Sequence, residues 1–166
     1  MIRSTERLLF RSYQDDDFSF LMSLLADREV VRFIGDGQTK NRSEAEKFLH
    51  WIYNTYEYGS NMGLRLLIDK KDRIPIGHAG LVPQTIDGKE EIEIGYWIAR
   101  KYWGQGYAAE AALGLRNYGI QQLDIQRLIA LIQSGNTVSE LVAKKIGMHF
   151  DRRITLSGKA VNVYAT

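Results

Sequence analysis

The hydrophobic period of this chain changes at one point, and two glycines stand there. Ile92-Glu93-Ile94-Gly95-Tyr96-Trp97-Ile98 alternates as a strand. From Gly106 onward, Ala108, Ala111-Ala112, Leu115 and Tyr118 recur at helical spacing, with Glu110, Asn117 and Gln121 on the opposite face. Gly104-Gln105-Gly106 joins the two patterns. Glycine tolerates both the sharp turn and the close backbone approach that such a junction offers. The free N–H groups at the helix start then point outward, an arrangement suited to phosphate. Ala108 and Ala109 keep that first turn small, and Glu110, on the polar face with Asn117, is expected to point to solvent. A strand-to-helix connection also needs glycines for geometry alone, so the turn by itself is compatible with a ligand or with none.

The surroundings narrow the choice. Leu8-Leu9-Phe10-Arg11 reads as an opening strand, and Asp15-Asp16-Asp17 starts a helix carrying Phe18, Leu21 and Leu24-Leu25. Turn-forming residues from Gly35 to Asn41 break the chain. Ser43 and Glu46 then have the spacing of a capping box opening a second helix, which carries Phe48, Trp51-Ile52 and Tyr56 and ends at Gly59. Leu64–Ile68, Ile74–Val82 and Ile92–Ile98 predict three meandering strands, with turns at Asp69–Asp72 and Asp87–Lys89. Leu128–Ile132 predicts another. Asn136-Thr137 caps a further helix, with Lys144-Lys145 in its last turn and Gly147 as its left-handed stop. Phe150 to Ala165 suits a closing hairpin turning at Ser157-Gly158-Lys159. Strands and helices alternate with no linker or repeat, which predicts a single α/β domain over residues 1–166 built on a mixed sheet.

With 166 residues, 45% of them hydrophobic, the chain can bury a core without staples. It has no cysteine, which removes disulfides, thiolate metal sites and cysteine nucleophiles. His50, His78 and His149 have no mutual ligand spacing, so no metal is expected. The net charge of +2 comes from 22 basic and 20 acidic residues mixed along the chain, with no basic stripe for nucleic acid. No apolar run approaches the roughly 20 residues of a membrane span. The charged start, Met1 to Arg7, has no apolar signal core behind it, so a cytoplasmic location is expected.

Gly-Gln-Gly-Tyr-Ala-Ala also fits the dinucleotide pattern Gly-x-Gly-x-x-Ala, with Asp124 near the expected downstream acid. In that fold the turn follows the first strand of a βαβ unit and the acid ends the second. Here several strands precede the turn and Asp124 lies before the next strand.

Taken together, several stretches resemble the GNAT superfamily of acetyltransferases, in particular its branch of ribosomal-protein N-terminal acetyltransferases. They are Thr5-Glu6-Arg7-Leu8-Leu9-Phe10-Arg11, Ile94–Ile98, Tyr102–Ala111, Asn136-Thr137-Val138-Ser139 and Lys145-Ile146-Gly147-Met148. The resemblance implies a splayed, mixed, seven-stranded sheet with about four helices, holding acetyl-CoA as cosubstrate in a V-shaped opening. It implies that the pantetheine arm pairs with the strand ending at Trp97-Ile98. The pyrophosphate would rest on the turn Gly104, Gln105, Gly106, Tyr107 and Ala108. Lys101 stands where the family's phosphate motif usually has Gln or Arg; it supplies charge without a planar two-point bond.

Acetyl transfer from a thioester to an amine needs a neutral amine, a donor for the oxyanion and a proton for the departing thiolate. Direct attack in a ternary complex needs no cysteine. The family resemblance makes Glu93 the candidate base, although alternation with Ile92 and Ile94 also fits a solvent-facing residue. It makes Asn136 a candidate for the pantetheine arm and Ser139 the candidate acid, although both positions also suit helix caps. Many relatives use a tyrosine on that helix; none lies between Asn136 and Gly147, which leaves Tyr164 as a distant substitute. Lys145 is a candidate for the phosphates or a partner of the helix dipole. Trp51, Tyr53, Tyr56 and Tyr58 either line the acceptor pocket or fill the core. The expected activity is acetyl transfer to a protein N-terminus or a small amine. The alternatives are a non-catalytic acyl-CoA sensor and a nucleotide-binding oxidoreductase.

Overall fold

The computed structural model of the chain describes residues 1–166. All seven strands lie in one mixed sheet of order β1-β2-β3-β4-β5-β7-β6. Strands β1 (Leu8–Ser12), β2 (Gly63–Asp69), β3 (Pro75–Ile86) and β4 (Lys89–Ile98) form an antiparallel meander. β4 then meets β5 (Ile129–Gln133) in parallel. β6 (His149–Leu156) and β7 (Lys159–Ala165) form the closing hairpin, with β7 antiparallel to β5. β3 and β4 run further toward their shared turn than periodicity predicts. Asp87 and Gly88 both take positive φ, 50° and 76°, the two-residue turn whose twist matches a hairpin. Ser157 and Gly158 do the same at 49° and 77°.

Two helical layers cover the sheet. Leu64, Leu66 and Val82 bury one face against Leu21 and Leu25 of α1 (Phe18–Ala26) and Leu49 and Ile52 of α3 (Arg42–Thr55). Leu67, Leu81, Ile94 and Ile98 bury the other face against α4 (Tyr107–Gln121) and α5 (Thr137–Lys145). Ala111, Ala112 and Ala143 are fully buried there, and their small side chains let both helices lie close to the strands. Each large aliphatic side chain fully buried in these layers contributes about 1.5–3 kcal/mol.

Two helix predictions need correction. A fifth α-helix, α2 (Arg28–Val31), is one turn long, too short to show a helical period; Asp27 caps it by accepting from the Glu29 amide at 3.0 Å. α3 starts at Arg42, not after Ser43. Asn41 accepts from the Glu44 amide at 2.9 Å and Glu44 accepts from the Asn41 amide at 3.1 Å. Asn41/Glu44 and Ser43/Glu46 have the same spacing, and the earlier pair adds helical residues at no local cost.

The feature that positions the site is a single parallel pair. β4 and β5 are in register only at Glu93 and Ile129. Beyond that pair, β4 stays tied to β3 as far as Ile98, and β5 stays tied to β7 as far as Gln133. The two strands are therefore held from their outer edges and part along their inner ones. The wedge between them leaves β4 backbone groups from Gly95 to Ile98 unpaired on that side, an edge able to accept an extended partner.

Candidate active site

A short 3-10 turn, Arg100–Tyr102, carries the chain from the end of β4 to the glycine turn. The Trp103 indole donates to the Ile98 carbonyl at 2.7 Å and anchors the turn to the strand. Gly104 and Gly106 both adopt left-handed backbone, at φ 73° and 82°. Gly106 is the N-cap of α4 and has no side chain to cap it. The amides of the first helical turn therefore find no acceptor within the helix and face outward with the positive end of its dipole. Lys101 is exposed, with its ammonium 5.7 Å from the Tyr102 ring.

The N-terminal segment braces this turn. Glu110 does not point to solvent as its helical face predicts. It accepts from Thr5 Oγ1 at 2.6 Å, the Arg7 amide at 2.7 Å and Arg7 Nε at 2.6 Å. Burial alone pushes its carboxyl up, but these bonds together outweigh burial and hold it below its ordinary value. Arg7 also donates to the Gln105 carbonyl at 2.9 Å and lies 4.2 Å over the Tyr107 ring. The carboxylate in the first turn of α4 is thus paired, and Arg7 ties Gln105, Tyr107 and Glu110 together. The shared partner of Thr5 and Arg7 lies 105 and 103 residues away, beyond any local pattern.

Glu110→Ala is expected to destabilise the fold by about 1–2 kcal/mol, because the pair is partly screened by solvent. The depressed carboxyl means that this contribution exists above the unfolded-state pKa and fades as pH falls through the folded one. Thermal melts at pH 7 and pH 3.5 check this: the gap between variant and parent should narrow at the lower pH.

Polar groups on both faces of β4 border the wedge. Glu93 is half-buried beside the one β4–β5 pair, with Gln84 Nε2 donating to it at 2.8 Å. Burial pushes its carboxyl up to about 7, against the pull of the Gln84 bond. It is not the freely solvated residue that strand alternation also allowed. Across the wedge, Asn136 caps α5 by accepting from the Ser139 amide at 3.3 Å. Ser139 Oγ donates to the Tyr96 hydroxyl at 3.2 Å, and that hydroxyl donates to the Ser139 carbonyl at 3.1 Å. Tyr96 is pushed up to about 12, first by burial and then by the nearby Glu93 charge. A tyrosine hydroxyl thus lies beside Ser139, but it comes from β4 and not from α5.

A model of the acetyltransferase (GNAT) domain matches residues 7–149, most of the chain. The chain belongs to the GNAT acetyltransferase family. This acetyltransferase is 35% identical over 160 residues to the uncharacterized protein YkkB of Bacillus subtilis, covering 96% of this chain and 92% of that one. It is 30% identical over 145 residues to the uncharacterized N-acetyltransferase YnaD of the same organism, covering 87% and 81%. A GNAT-family acetyltransferase structure from Bacillus anthracis superposes with a TM-score of 0.82 at 27% identity, over 100% of this chain and 98% of that one.

The remaining predicted positions scatter across the acetyltransferase. Lys145 is exposed in the last turn of α5, roughly 13 Å along the helix from Asn136. Tyr164 is buried in the core edge-on to Phe150, with no hydrogen bond to Ser139. Tyr53 donates to Asp15 at 2.6 Å, and Tyr56 donates to the Leu64 carbonyl, so both serve the α1–α3 layer. Trp51 and Tyr58 are 42% and 67% exposed, which rules out a core role for either. His78 is fully buried and neutral, pushed down to about 3 by burial. Asp124 sits in a turn at φ 54° before β5 and ends no strand, so the dinucleotide reading has no acid in place. No helix is long and apolar enough to cross a membrane.

Proposed function

We propose that this chain moves an acetyl group from acetyl-CoA to a primary amine by direct attack, with Glu93 taking the amine's proton. Members of the family use acetyl-CoA. One observation carries the reading: a single wedge has an amide-rich turn at one end, a carboxyl raised to about 7 on one face of β4 and paired hydroxyls on the other. The free amides from Gly104 to Ala108 suit the pyrophosphate, and the unpaired edge from Gly95 to Ile98 suits the amides of the pantetheine arm. Asn136, whose side-chain NH2 is left over after capping, can meet the same arm from the other wall.

The chemistry favours this division of work. An α-amine has a pKa of about 8 and a lysine-type amine about 10.4, so both are mostly protonated at neutral pH. A carboxylate at 4.5 is a poor proton acceptor for either. Raising Glu93 to about 7 closes most of that gap for an α-amine and less than half of it for a lysine-type amine, at about 1.36 kcal/mol per unit. The amine nitrogen then forms its bond to the thioester carbonyl carbon while Glu93 removes its proton. As the C–S bond breaks, the Ser139 and Tyr96 hydroxyls stabilise the charge developing on sulfur and supply its proton.

Acetyl-CoA consumption would be followed as free thiol over a panel of primary amines and short peptides. Turnover that depends on the amine supports the proposal. Tight acetyl-CoA binding without turnover on any acceptor would instead make the chain a sensor. Ser139→Ala is expected to lower kcat about 3- to 10-fold, the scale of one neutral hydrogen bond, and Tyr96→Phe similarly. Steady-state kinetics at saturating acetyl-CoA measure both.

A further inference from the structure

Side chains alternate along a strand, so Glu93, Gly95 and Trp97 share the face of β4 that looks toward α3. A Cβ placed on Gly95 would meet only Leu64 Cδ2, at 3.6 Å. The surface between Glu93 and Trp97 is therefore a gap with a backbone floor. Its far end is aromatic. The Trp97 ring lies 5.3 Å from Phe48, and Phe48 lies 5.3 Å from Trp51. His78 closes the inner end, 4.6 Å from Trp97 and stacked on Phe48. The wall runs outward from a fully buried histidine to Trp51, which is 42% exposed. Trp51 packs on Phe48 with one side and leaves the rest of its surface open beside the buried stripe of α3.

Charge narrows the occupant further. Several carboxylates of the neighbouring elements are already engaged: Asp17 with Arg11, Asp27 with Arg100, Asp36 with Lys40, and Glu46 with Arg42. Glu44 is committed to the α3 cap, and Asp15 accepts from Tyr53. Glu93, by contrast, has only the amide of Gln84. The gap thus offers one carboxylate and a flat apolar wall about four strand residues, roughly 13 Å, further along. A polyamine's second cation, laid along this wall, would meet aromatic rings rather than a second carboxylate. A peptide backbone laid on this wall would face rings rather than hydrogen-bonding groups, at a desolvation cost.

Resting on the reading of Glu93 as the base, we infer that the acceptor is a primary amine joined by a short chain to a flat aromatic or apolar group. The nitrogen meets Glu93, and the ring packs against Trp97, Phe48 and Trp51.

The test compares 2-phenylethylamine and tryptamine with propylamine, spermidine and a short peptide, each followed by thiol release. The arylalkylamines are expected to have kcat/KM at least about 10-fold above the others, the gain from one well-packed aromatic contact plus its buried area. Trp51→Ala should raise KM for 2-phenylethylamine about 3- to 10-fold, leave kcat nearly unchanged and pull the aryl-to-propyl ratio toward one. Trp51→Phe should restore most of that ratio. A preference for spermidine or the peptide, or a ratio unmoved in Trp51→Ala, would overturn this acceptor class and leave the acetyl-transfer reading standing. Absence of turnover with every amine would remove the reading of the site itself.

Discussion

Glu93→Gln is expected to lower kcat/KM for an amine acceptor about 10²–10³-fold at pH 7.5, within the range of a lost general base. The pH dependence gives the sharper signature. With Glu93 raised to about 7, the parent rate should climb through that pH as the carboxyl ionises, and this limb should vanish in the variant. Stability should move the other way. A carboxyl whose folded pKa lies above its unfolded value binds more protons in the folded state. Its burial therefore destabilises the fold progressively as pH rises from about 4.5 to about 7. Glutamine cannot ionise and can still accept from Gln84, so Glu93→Gln should melt higher than the parent at pH 8 and close to it at pH 4. Lost activity accompanied by a gain in Tm at pH 8 separates a catalytic role from damage to the fold. A variant that keeps its pH limb would remove Glu93 from the mechanism.

The second large effect belongs to the glycine turn. Gly104→Ala and Gly106→Ala should each weaken acetyl-CoA binding about 10- to 100-fold, as measured by titration calorimetry. The protein itself has room: a Cβ on Gly104 meets nothing within 4 Å, and one on Gly106 approaches only Arg7 Nη2, at 3.4 Å. The positive φ at each position costs the fold about 1–2 kcal/mol in alanine. Losing one charge-assisted bond to a phosphate costs about 1.5–3 kcal/mol of binding, and each 1.4 kcal/mol is tenfold in affinity. Loss of affinity with a modest drop in Tm is the expected pattern. Unchanged affinity in both variants would mean that no phosphate approaches this backbone.

The range of an interaction decides whether the sequence carries it. The strand before Gly104, the helix after Gly106, the α5 stop at Gly147 and the Ser157-Gly158 turn are all encoded by residues adjacent in sequence, and each appears where it is predicted. The wedge is not encoded that way. It exists because β5 pairs fully with β7 and only once with β4, and alternation in one strand carries no record of its partner. Glu110 was misplaced for the same reason: its helical face is polar, but the N-terminal segment folds onto that face. The hydroxyl beside Ser139 comes from the facing strand, so no pattern on α5 points to Tyr96. Two overlapping capping boxes have the same spacing, so local pattern does not choose Asn41 over Ser43. Glu93 is a candidate by resemblance, yet its raised pKa depends on burial beside Gln84, which the Glu91/Glu93 alternation alone does not reveal.

The central claim is that acetyl-CoA lies in the wedge with its phosphates on the glycine turn. Backbone amide chemical shifts of the 15N-labelled chain, followed during titration with coenzyme A, test it most directly. The account predicts saturable shifts, largest at Gly95 to Ile98, Gly104 to Ala108 and Asn136 to Ser139. Shifts that spare those three segments and cluster elsewhere, such as on the exposed edge of β1, would contradict it, as would no shift at millimolar coenzyme A.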